Sequence, residues 1–326
     1  MVVVGAIAAA LFPSAAVAAF PGDNGRIAYA GAHWGIPPEA SDNPPDDHIF
    51  TVRPDGSGRQ QLTDNSFDES DPSWSADGGS LVFSRALGGV PGRPSGYQVF
   101  KMNADGSEQT QVTHISGTAA SPSLSPSGRR IVYRESRSGA ERSSISTIGH
   151  DGTDPRRLVS SGLRRAVSSP QYSPSGRRIV FAGRPRGTRT DAIWSVRRDG
   201  SRLRRLSDPA PDDDFEPDYS PDGRHIAFVR CDTDAVHGCA EAVYLMRADG
   251  SRERPIPGTS GALSPAYAPA GDRIALAGEP IAAPFPFTSI FTINLAGDDR
   301  RQVAPCEGCR ENLVRSPSWQ PVPDSR

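Results

Sequence analysis

The sequence predicts an all-β protein, a six-bladed β-propeller of four-stranded antiparallel blades whose N- and C-terminal strands pair within one blade. Three observations support this prediction. One glycine-containing motif recurs at a nearly fixed interval, a second lies between its copies, and each chain end holds half of the first motif. Gly and Pro number 33 and 31 of 326 residues, a composition that argues against long helices and coiled coils.

The first motif, such as PSLSPSGRRIVY, predicts the first two strands of each blade. Its five full copies begin at Pro72, Pro122, Pro170, Pro217 and Pro265, 47 to 50 residues apart. Pro, Ser or Asp, and Gly at its centre favour a tight turn between antiparallel strands. A large side chain follows two residues after each proline, and we expect these residues to pack between blades: Trp74, Leu124, Tyr172, Tyr219, Tyr267 and Trp319.

The second motif predicts the third and fourth strands of each blade. It is Asp-Gly-Ser or a close variant, with glycines at positions 56, 106, 152, 200, 250 and 297. Alternating runs such as HIFTV precede it, and short runs such as RQQLT follow it. Asp-Gly suits a tight hairpin turn, and the alternation indicates strands.

The chain ends complete the sixth blade. FPGDNGRIAYA, with Gly25, matches only the second strand of the first motif, and PSWQPVP from Pro317 matches only the first strand. Four strands every 47–50 residues are typical of a β-propeller, and pairing the two ends leaves no open edge in the ring.

The motifs resemble those of the TolB-like six-bladed β-propellers. Anchors of the SPDG type followed by IAF or IVF, a D-G-S hairpin and a Leu-Thr-like strand carry the resemblance over nearly all of residues 20–326. It covers the propeller only, because the α/β domain that precedes the propeller in TolB has no counterpart, so a Tol-Pal role is not expected. The resemblance implies a periplasmic or secreted platform for protein partners. Related propellers also cover hydrolase domains or, in some lyases, carry a metal.

Residues 1–19 are interpreted as a secretory signal peptide, leaving residues 20–326 as a single propeller domain. The segment is uncharged and ends with an A-x-A pattern at Ala16-Val17-Ala18, although it lacks a basic start. A retained membrane anchor is the alternative, but Pro13 and Ser14 shorten the apolar run below the ~20 residues of a span. We expect a periplasmic or extracellular protein with no membrane span after cleavage.

Four cysteines fit an oxidising compartment. Cys231 and Cys239 are close in sequence, and Cys306 and Cys309 form C-x-x-C. Four cysteines allow three pairings, of which the most economical joins neighbours. Disulfides are favoured over a zinc site because the signal implies export.

Charge is unevenly distributed along the chain. Residues 129–205 hold 19 arginines and 6 acidic residues, although the whole chain has a formal net charge of −2. This basic lobe either reflects compositional bias or attracts an anionic partner. Nucleic acid is not expected, since the chain is slightly acidic overall and has no groove-reading element.

The longest and most variable connections are predicted to lie on one face, around the channel mouth, where function is expected. Four arginines follow the second strands of successive blades and form a predicted arginine arc: Arg85, Arg134, Arg184 and Arg230. Guanidinium groups suit carboxylates, phosphates or anionic glycans. The alternative is that each arginine pairs with an acidic loop beside it.

Acidic and aromatic residues complete the candidate ligand- or partner-binding set on that face: Asp68, Glu69, Asp71, Glu216, Asp218, His33 and Trp34. The acids either pair with the arginine arc or bind Ca²⁺, although neither acidic run matches an EF-hand loop. We expect no cofactor and assign no metal ligands.

The predicted function is an exported, non-catalytic binding platform, monomeric, for another envelope or secreted protein. No G-x-S-x-G, H-E-x-x-H, Walker or G-x-G-x-x-G motif is present, so no catalytic residue is assigned. The alternative is a metal-dependent lyase or hydrolase acting on an anionic glycan bound by the arginine arc. A purely structural role is the third possibility.

Overall fold

The protein is built from strands and tight turns. The computed structural model describes residues 20–32, 47–90, 93–94, 96–137, 143–159, 163–208, 212–234, 238–278, 288–304 and 314–323, and no helix occurs within them. Accordingly, the described residues contain no helix with the length and apolar character of a membrane span. The segment 1–19, His33, Trp34, Cys306 and Cys309 lie outside the described residues, so the predictions made for them stay predictions.

The described residues contain 26 strands, of which 24 form six four-stranded blades around a ring and two form a small separate ribbon. Blade 1 consists of β1 (Asp23–Ala32), β2 (Asp47–Val52), β3 (Gln60–Gln61) and the last strand, β26 (Arg315–Val322). Blade 2 consists of β4 (Glu69–Trp74), β5 (Ser80–Ala86), β8 (Tyr97–Asn103) and β9 (Thr110–Gln111), with a small ribbon of β6 (Gly89–Val90) and β7 (Arg93–Pro94). Blade 3 consists of β10 (Gly117–Leu124), β11 (Arg130–Arg137), β12 (Ser143–Gly149) and β13 (Arg156–Val159).

The remaining three blades repeat this order. Blade 4 consists of β14 (Leu163–Tyr172), β15 (Arg178–Pro185), β16 (Ala192–Arg197) and β17 (Arg204–Arg205). Blade 5 consists of β18 (Asp213–Tyr219), β19 (His225–Asp234), β20 (Gly238–Arg247) and β21 (Arg254–Pro255). Blade 6 consists of β22 (Leu263–Tyr267), β23 (Arg273–Gly278), β24 (Ser289–Asn294) and β25 (Arg301–Ala304).

The chain ends close the ring as the sequence predicts. β26 pairs antiparallel with β1, with Trp319 opposite Ile27 and Ser318 opposite Ala28. The C-terminal segment thus supplies the inner strand of the blade that the N-terminal segment begins. This confirms the predicted all-β, six-bladed propeller.

Large side chains between adjacent blades form the core. Trp74 of blade 2 packs in one cluster with Ala28 and Ile49 of blade 1 and with Phe83 of its own blade. The equivalent residues Leu124, Tyr172, Tyr219, Tyr267 and Trp319 are also buried in clusters of apolar residues. The prediction that these six residues pack between blades is confirmed.

Two faces of the ring differ in their connections. The tight turns of both glycine motifs lie on one side, the turn face, where Gly78 and Gly56 have φ values of 67° and 84°. The longer connections lie on the opposite side, the loop face, and the inner strands β4, β10, β14, β18, β22 and β26 are neighbours around the centre. Each inner strand starts at the loop face, so its first residues surround the channel mouth.

Candidate functional site: the polar mouth of the central channel

The residue directly before the proline of each inner strand has an unusual backbone conformation. All six have φ between 53° and 55° and are buried: Asp71, Ser121, Ser169, Glu216, Ser264 and Ser316. A residue before proline normally prefers extended backbone, and a left-handed conformation is costly for residues other than glycine. The strand pairing also shifts register at this position in all six blades, so each inner strand carries a bulge here.

These bulges bring polar side chains of different blades together. The Asp71 carboxylate accepts hydrogen bonds from Ser316 Oγ of blade 1 at 3.2 Å and from Ser121 Oγ of blade 3 at 3.4 Å. It also accepts hydrogen bonds from Ser70 and Ser84 of its own blade, both at 3.2 Å. One buried carboxylate therefore joins three consecutive blades.

Glu216 provides the second acid of this ring, in the blade opposite Asp71. Its Oε2 accepts a hydrogen bond from the Ser264 backbone N–H at 2.6 Å. The pKa of Glu216 is raised to about 8, mainly by burial, with smaller contributions from the charges of Asp71 and Glu241 and an opposing effect of the hydrogen bonds from Ser264. A carboxyl group with this pKa is mostly protonated at neutral pH, so Glu216 acts there as a neutral hydrogen-bonding group.

A second polar cluster lies at the mouth, beside blades 1 and 2. Arg315 Nη2 donates to Asp47 Oδ2 at 2.5 Å, and the Asp47 backbone N–H donates to Asp68 Oδ1 at 3.3 Å. Burial lowers the pKa of Arg315, but the Asp47 and Asp71 carboxylates outweigh it and hold the guanidinium charged. Tyr97 completes the cluster, and burial together with Asp68 raises its pKa to about 12. We call Asp47, Asp68, Asp71, Tyr97 and Arg315 the mouth cluster.

Three of the four arginines of the arc form ion pairs with described residues. Arg85 Nη2 lies 2.5 Å from Glu69 Oε1, Arg230 Nε lies 2.7 Å from Asp214 Oδ1, and Arg184 Nε lies 3.0 Å from Asp191 Oδ1. Arg134 is half-buried on β11 and also has an interaction partner. Three of the four arginines therefore lie against nearby carboxylates.

Aromatic rings fix two of these arginines further. The Arg85 guanidinium lies 4.5 Å from the Phe100 ring centre, and that of Arg230 lies 5.0 Å from the Tyr244 ring centre. A guanidinium that is both stacked and paired with a buried carboxylate supports the blade and is poorly placed to capture an added anion.

The predicted acidic residues lie deeper than the sequence suggested. They were expected in exposed connections, but Glu69, Asp71, Glu216 and Asp218 are buried within β4 and β18. Asp218 accepts a hydrogen bond from the Tyr267 backbone N–H at 2.7 Å, which ties blade 5 to blade 6. Of the predicted acids, only Asp68 remains outside a strand and half-buried at the mouth.

Sequence reasoning missed Arg315, Asp47 and Tyr97. The recurring motif begins at its proline, and the two positions before the proline lie outside it. Those positions hold Asp71, Glu216 and Arg315, whose side chains meet residues of other strands at the channel mouth. Asp47 and Tyr97 begin the third strands of their blades, and their place at the mouth depends on the ring arrangement.

The described residues contain no group of metal-binding side chains and include one disulfide-bonded cysteine. Within the described ranges, no three His, Cys, Asp or Glu side chains are grouped so that they could hold a metal ion. Cys231 is disulfide-bonded, but the side chain of Cys239 is not described, so the pairing of the four cysteines stays a prediction.

Comparison with known proteins places the chain in a family. A profile of the TolB beta propeller domain matches residues 14–210 and 97–323. Comparison with curated proteins gives no sequence match.

Solved structures share the fold at low sequence identity. TolB from Acinetobacter baumannii superposes with a TM-score of 0.72 and 18% identity, over 93% of this chain and 68% of that one. A TolB-like protein from Agrobacterium tumefaciens gives 0.61 and 17%, over 86% and 89% of the two chains. An oligogalacturonate lyase in complex with manganese gives 0.59 and 13%, over 91% and 81%. Because the family profile matches most of the chain, the protein belongs to the TolB beta propeller domain family.

Proposed function

We propose that this protein is an exported, non-catalytic binding platform that holds a segment of another envelope or secreted protein at its loop face, over the channel mouth. The observation that carries this proposal is the mouth cluster, in which buried and partly buried polar groups from blades 1 and 2 are held in place by one another. Such preorganised groups lose little conformational entropy when a partner binds. Membership in the TolB propeller family supports the same proposal.

The charge of the mouth cluster indicates the chemistry of the partner segment. Three carboxylates, those of Asp47, Asp68 and Asp71, surround the single guanidinium of Arg315. The cluster is therefore net negative, and complementary charge favours a basic segment or a free amino terminus.

An exposed aromatic residue beside the mouth offers a hydrophobic contact. Phe67, in the connection between β3 and β4, is 40% exposed. Among the described residues only Val322, on the turn face, is a comparably exposed large apolar side chain, at 42%. Exposed aromatic residues are frequent energetic centres of protein interfaces.

The test is capture of partners from an envelope extract of the source organism by the purified protein, with mass spectrometry of what is retained. We expect Phe67→Ser to reduce the recovered partner several-fold, because aromatic anchors often account for more than 1 kcal/mol of binding. Val322→Ser is the matched control on the opposite face and should leave recovery unchanged. Equal recovery by both variants and the parent protein would contradict binding at the loop face.

The alternative, a metal-dependent lyase or hydrolase acting on an anionic glycan, remains a second prediction. It relied on the arginine arc as the anion receptor, and the pairing of Arg85, Arg184 and Arg230 with carboxylates does not favour it. Elemental analysis, with melting curves before and after EDTA, tests it. A bound metal whose removal lowers Tm and abolishes glycan cleavage would favour the enzyme over the platform.

A further inference from the structure

Part of the basic lobe lies on the turn face of blades 3 and 4, and arginines of blade 5 extend it there, away from the loop face and its mouth cluster. In each of these blades a backbone hydrogen bond joins the two tight turns: from His150 N–H to Arg129 O, from Arg198 N–H to Arg177 O, and from Ala248 N–H to Arg224 O. Blades 3 and 4 contribute the guanidinium groups of Arg129, Arg177 and Arg198, whereas burial and Lys101 lower the pKa of His150. In blade 5, Arg247 directly precedes Ala248. We call Arg129, His150, Arg177, Arg198, Arg224 and Arg247 the basic turn patch.

The flanking blades 2 and 6 do not repeat this pair of basic turn residues, although Lys101 of blade 2 reaches the edge of the patch and donates to His150 O at 3.1 Å. In blade 2 the same backbone hydrogen bond joins Ala104 N–H to Gly79 O, so both positions lack charge. In blade 6 the equivalent turn residue is Asp272, which is acidic. The patch is therefore an arc over three consecutive blades in which its five arginines lie beside the exposed acids Asp151, Asp199, Asp222 and Asp249 of the same turns. The exposed Arg197, Arg202, Arg204 and Arg252 of these turns keep the arc net positive.

The arginines of this patch are available to a ligand. Arg129, Arg177, Arg198 and Arg247 are exposed and make no side-chain hydrogen bond or ion pair with any residue that the structure describes. Arg224 has only a long contact, 4.0 Å from Asp222. On the loop face, in contrast, Arg85, Arg184 and Arg230 are held by carboxylates. Exposed guanidinium groups without internal partners offer their donors to phosphate or carboxylate groups.

A cleft at the blade 5 end of the patch adds a place for an anionic group. It encloses about 280 Å³ and is lined by His225, Arg247, Arg252 and Arg254, above the buried Leu245 and Met246. Arg252 has a φ of 59°, the left-handed conformation that Gly58 adopts at the equivalent turn of blade 1. Three guanidinium groups thus surround one opening of the size of a small anionic head group.

The shape of the patch and the path of the chain indicate the type of partner. The connections on this face are tight turns, so no long loop projects from the patch. The patch has no exposed aromatic side chain on which nucleic-acid bases could stack. The chain enters the propeller on the same face, beside blade 6, because Asn24 accepts a hydrogen bond from Ala270 N–H at 3.0 Å and donates one to Asp272 at 3.3 Å.

We propose that the basic turn patch binds the surface of a membrane rich in anionic phospholipid, with phosphate head groups as the recognised chemistry. Each arginine near such a surface contributes electrostatic attraction that weakens as salt rises. With no apolar side chain in the patch to insert, binding is peripheral and reversible. The loop face then points away from the bilayer and stays open to a partner.

The experiment is vesicle sedimentation with the chain starting at Phe20, which holds the whole propeller and lacks the apolar segment. Vesicles of phosphatidylcholine alone are compared with vesicles of phosphatidylcholine and phosphatidylglycerol in equal parts, at low salt and at about 0.15 M salt. We expect binding to the anionic vesicles only, weaker at the higher salt. Arg177→Gln with Arg198→Gln should lower the apparent affinity about tenfold or more.

The matched control is Arg186→Gln with Arg189→Gln. These arginines are exposed in the connection between β15 and β16 of the same blade, on the loop face, and the double variant removes the same charge. It should retain nearly all of the binding. Equal loss in both variants would mean that net charge alone attracts the protein and would overturn the proposal. So would no sedimentation with anionic vesicles at low salt, including the case in which the protein binds soluble polyphosphate instead.

Discussion

At the scale of single residues, Glu216 has an environment far from that of a free side chain. It is buried on the axis of the ring, with Asp71 as a charged neighbour from the opposite blade. Two carboxylates in one low-dielectric region avoid repulsion when one of them holds a proton. The raised pKa of Glu216 and the four serine hydroxyls around Asp71 show how the ring keeps both acids buried.

This arrangement predicts how stability depends on pH. The folded protein keeps a proton on Glu216 up to about pH 8, whereas the unfolded chain releases it near its ordinary pKa of 4.5. The free energy of unfolding should therefore fall as pH rises from about 4.5 to about 8 and level off above that range. Glu216→Gln should flatten this dependence and make the protein more stable than its parent at pH 9, by on the order of a few kcal/mol.

Urea unfolding at pH 5, 7 and 9 measures this effect. Asp64→Asn, which removes an exposed carboxylate, serves as the control and should follow the parent at all three values. A parallel pH dependence in Glu216→Gln and the parent would show that Glu216 is ionised in the folded state.

At the scale of structural elements, two repeated backbone features define each blade. One is the bulge before the inner-strand proline, which directs side chains to the channel. The other is the hairpin between the third and fourth strands, where the second residue after the turn glycine has positive φ in every blade: Gly58, Glu108, Asp154, Arg202, Arg252 and Asp299. Only blade 1 has glycine there. In the other five blades a residue with a side chain adopts the left-handed conformation, which is strained for it.

Glu108 allows a test of that strain, since it is exposed and has a φ of 55°. Glu108→Gly should be neutral or stabilise the protein by up to about 1 kcal/mol, because glycine adopts this conformation readily. Glu108→Val should destabilise it by about 1–2 kcal/mol, because a β-branched residue is strained at positive φ. Thermal unfolding of the pair measures the difference, and equal Tm values would contradict a left-handed residue at this turn.

At the scale of the whole molecule, ring closure and charge separation distinguish the two faces. β26 covers the edge of β1, and its residues Arg315 and Ser316 also reach the channel. A single strand thus closes the fold and completes the mouth cluster. The basic turn patch lies on the other face, so two oppositely charged surfaces are separated by the thickness of one propeller.

Removal of the closing strand tests how far the fold depends on it. A chain ending at residue 313 exposes the edge of β1 and the apolar surface that Trp319 covers, so we expect aggregation or loss of cooperative unfolding. A chain ending at residue 323 keeps all of β26 and should behave as the parent. Size-exclusion chromatography and circular dichroism compare the two, and a monomeric, cooperatively folded short chain would contradict closure by β26.

The sequence by itself determined the six-bladed ring, its closure and the residues packed between blades, because turn glycines and alternating strands are local signals that repeat six times. It also named Asp71 and Glu216, although as members of exposed loops. Only the tertiary structure decided which residues meet at the centre and which arginines are engaged. Arg315 and Asp47 are far apart in the chain, and Arg184 meets the Asp191 carboxylate whereas Arg177 meets no described carboxylate. Such differences depend on how blades are placed in space, and a repeat of local signals carries no information about them.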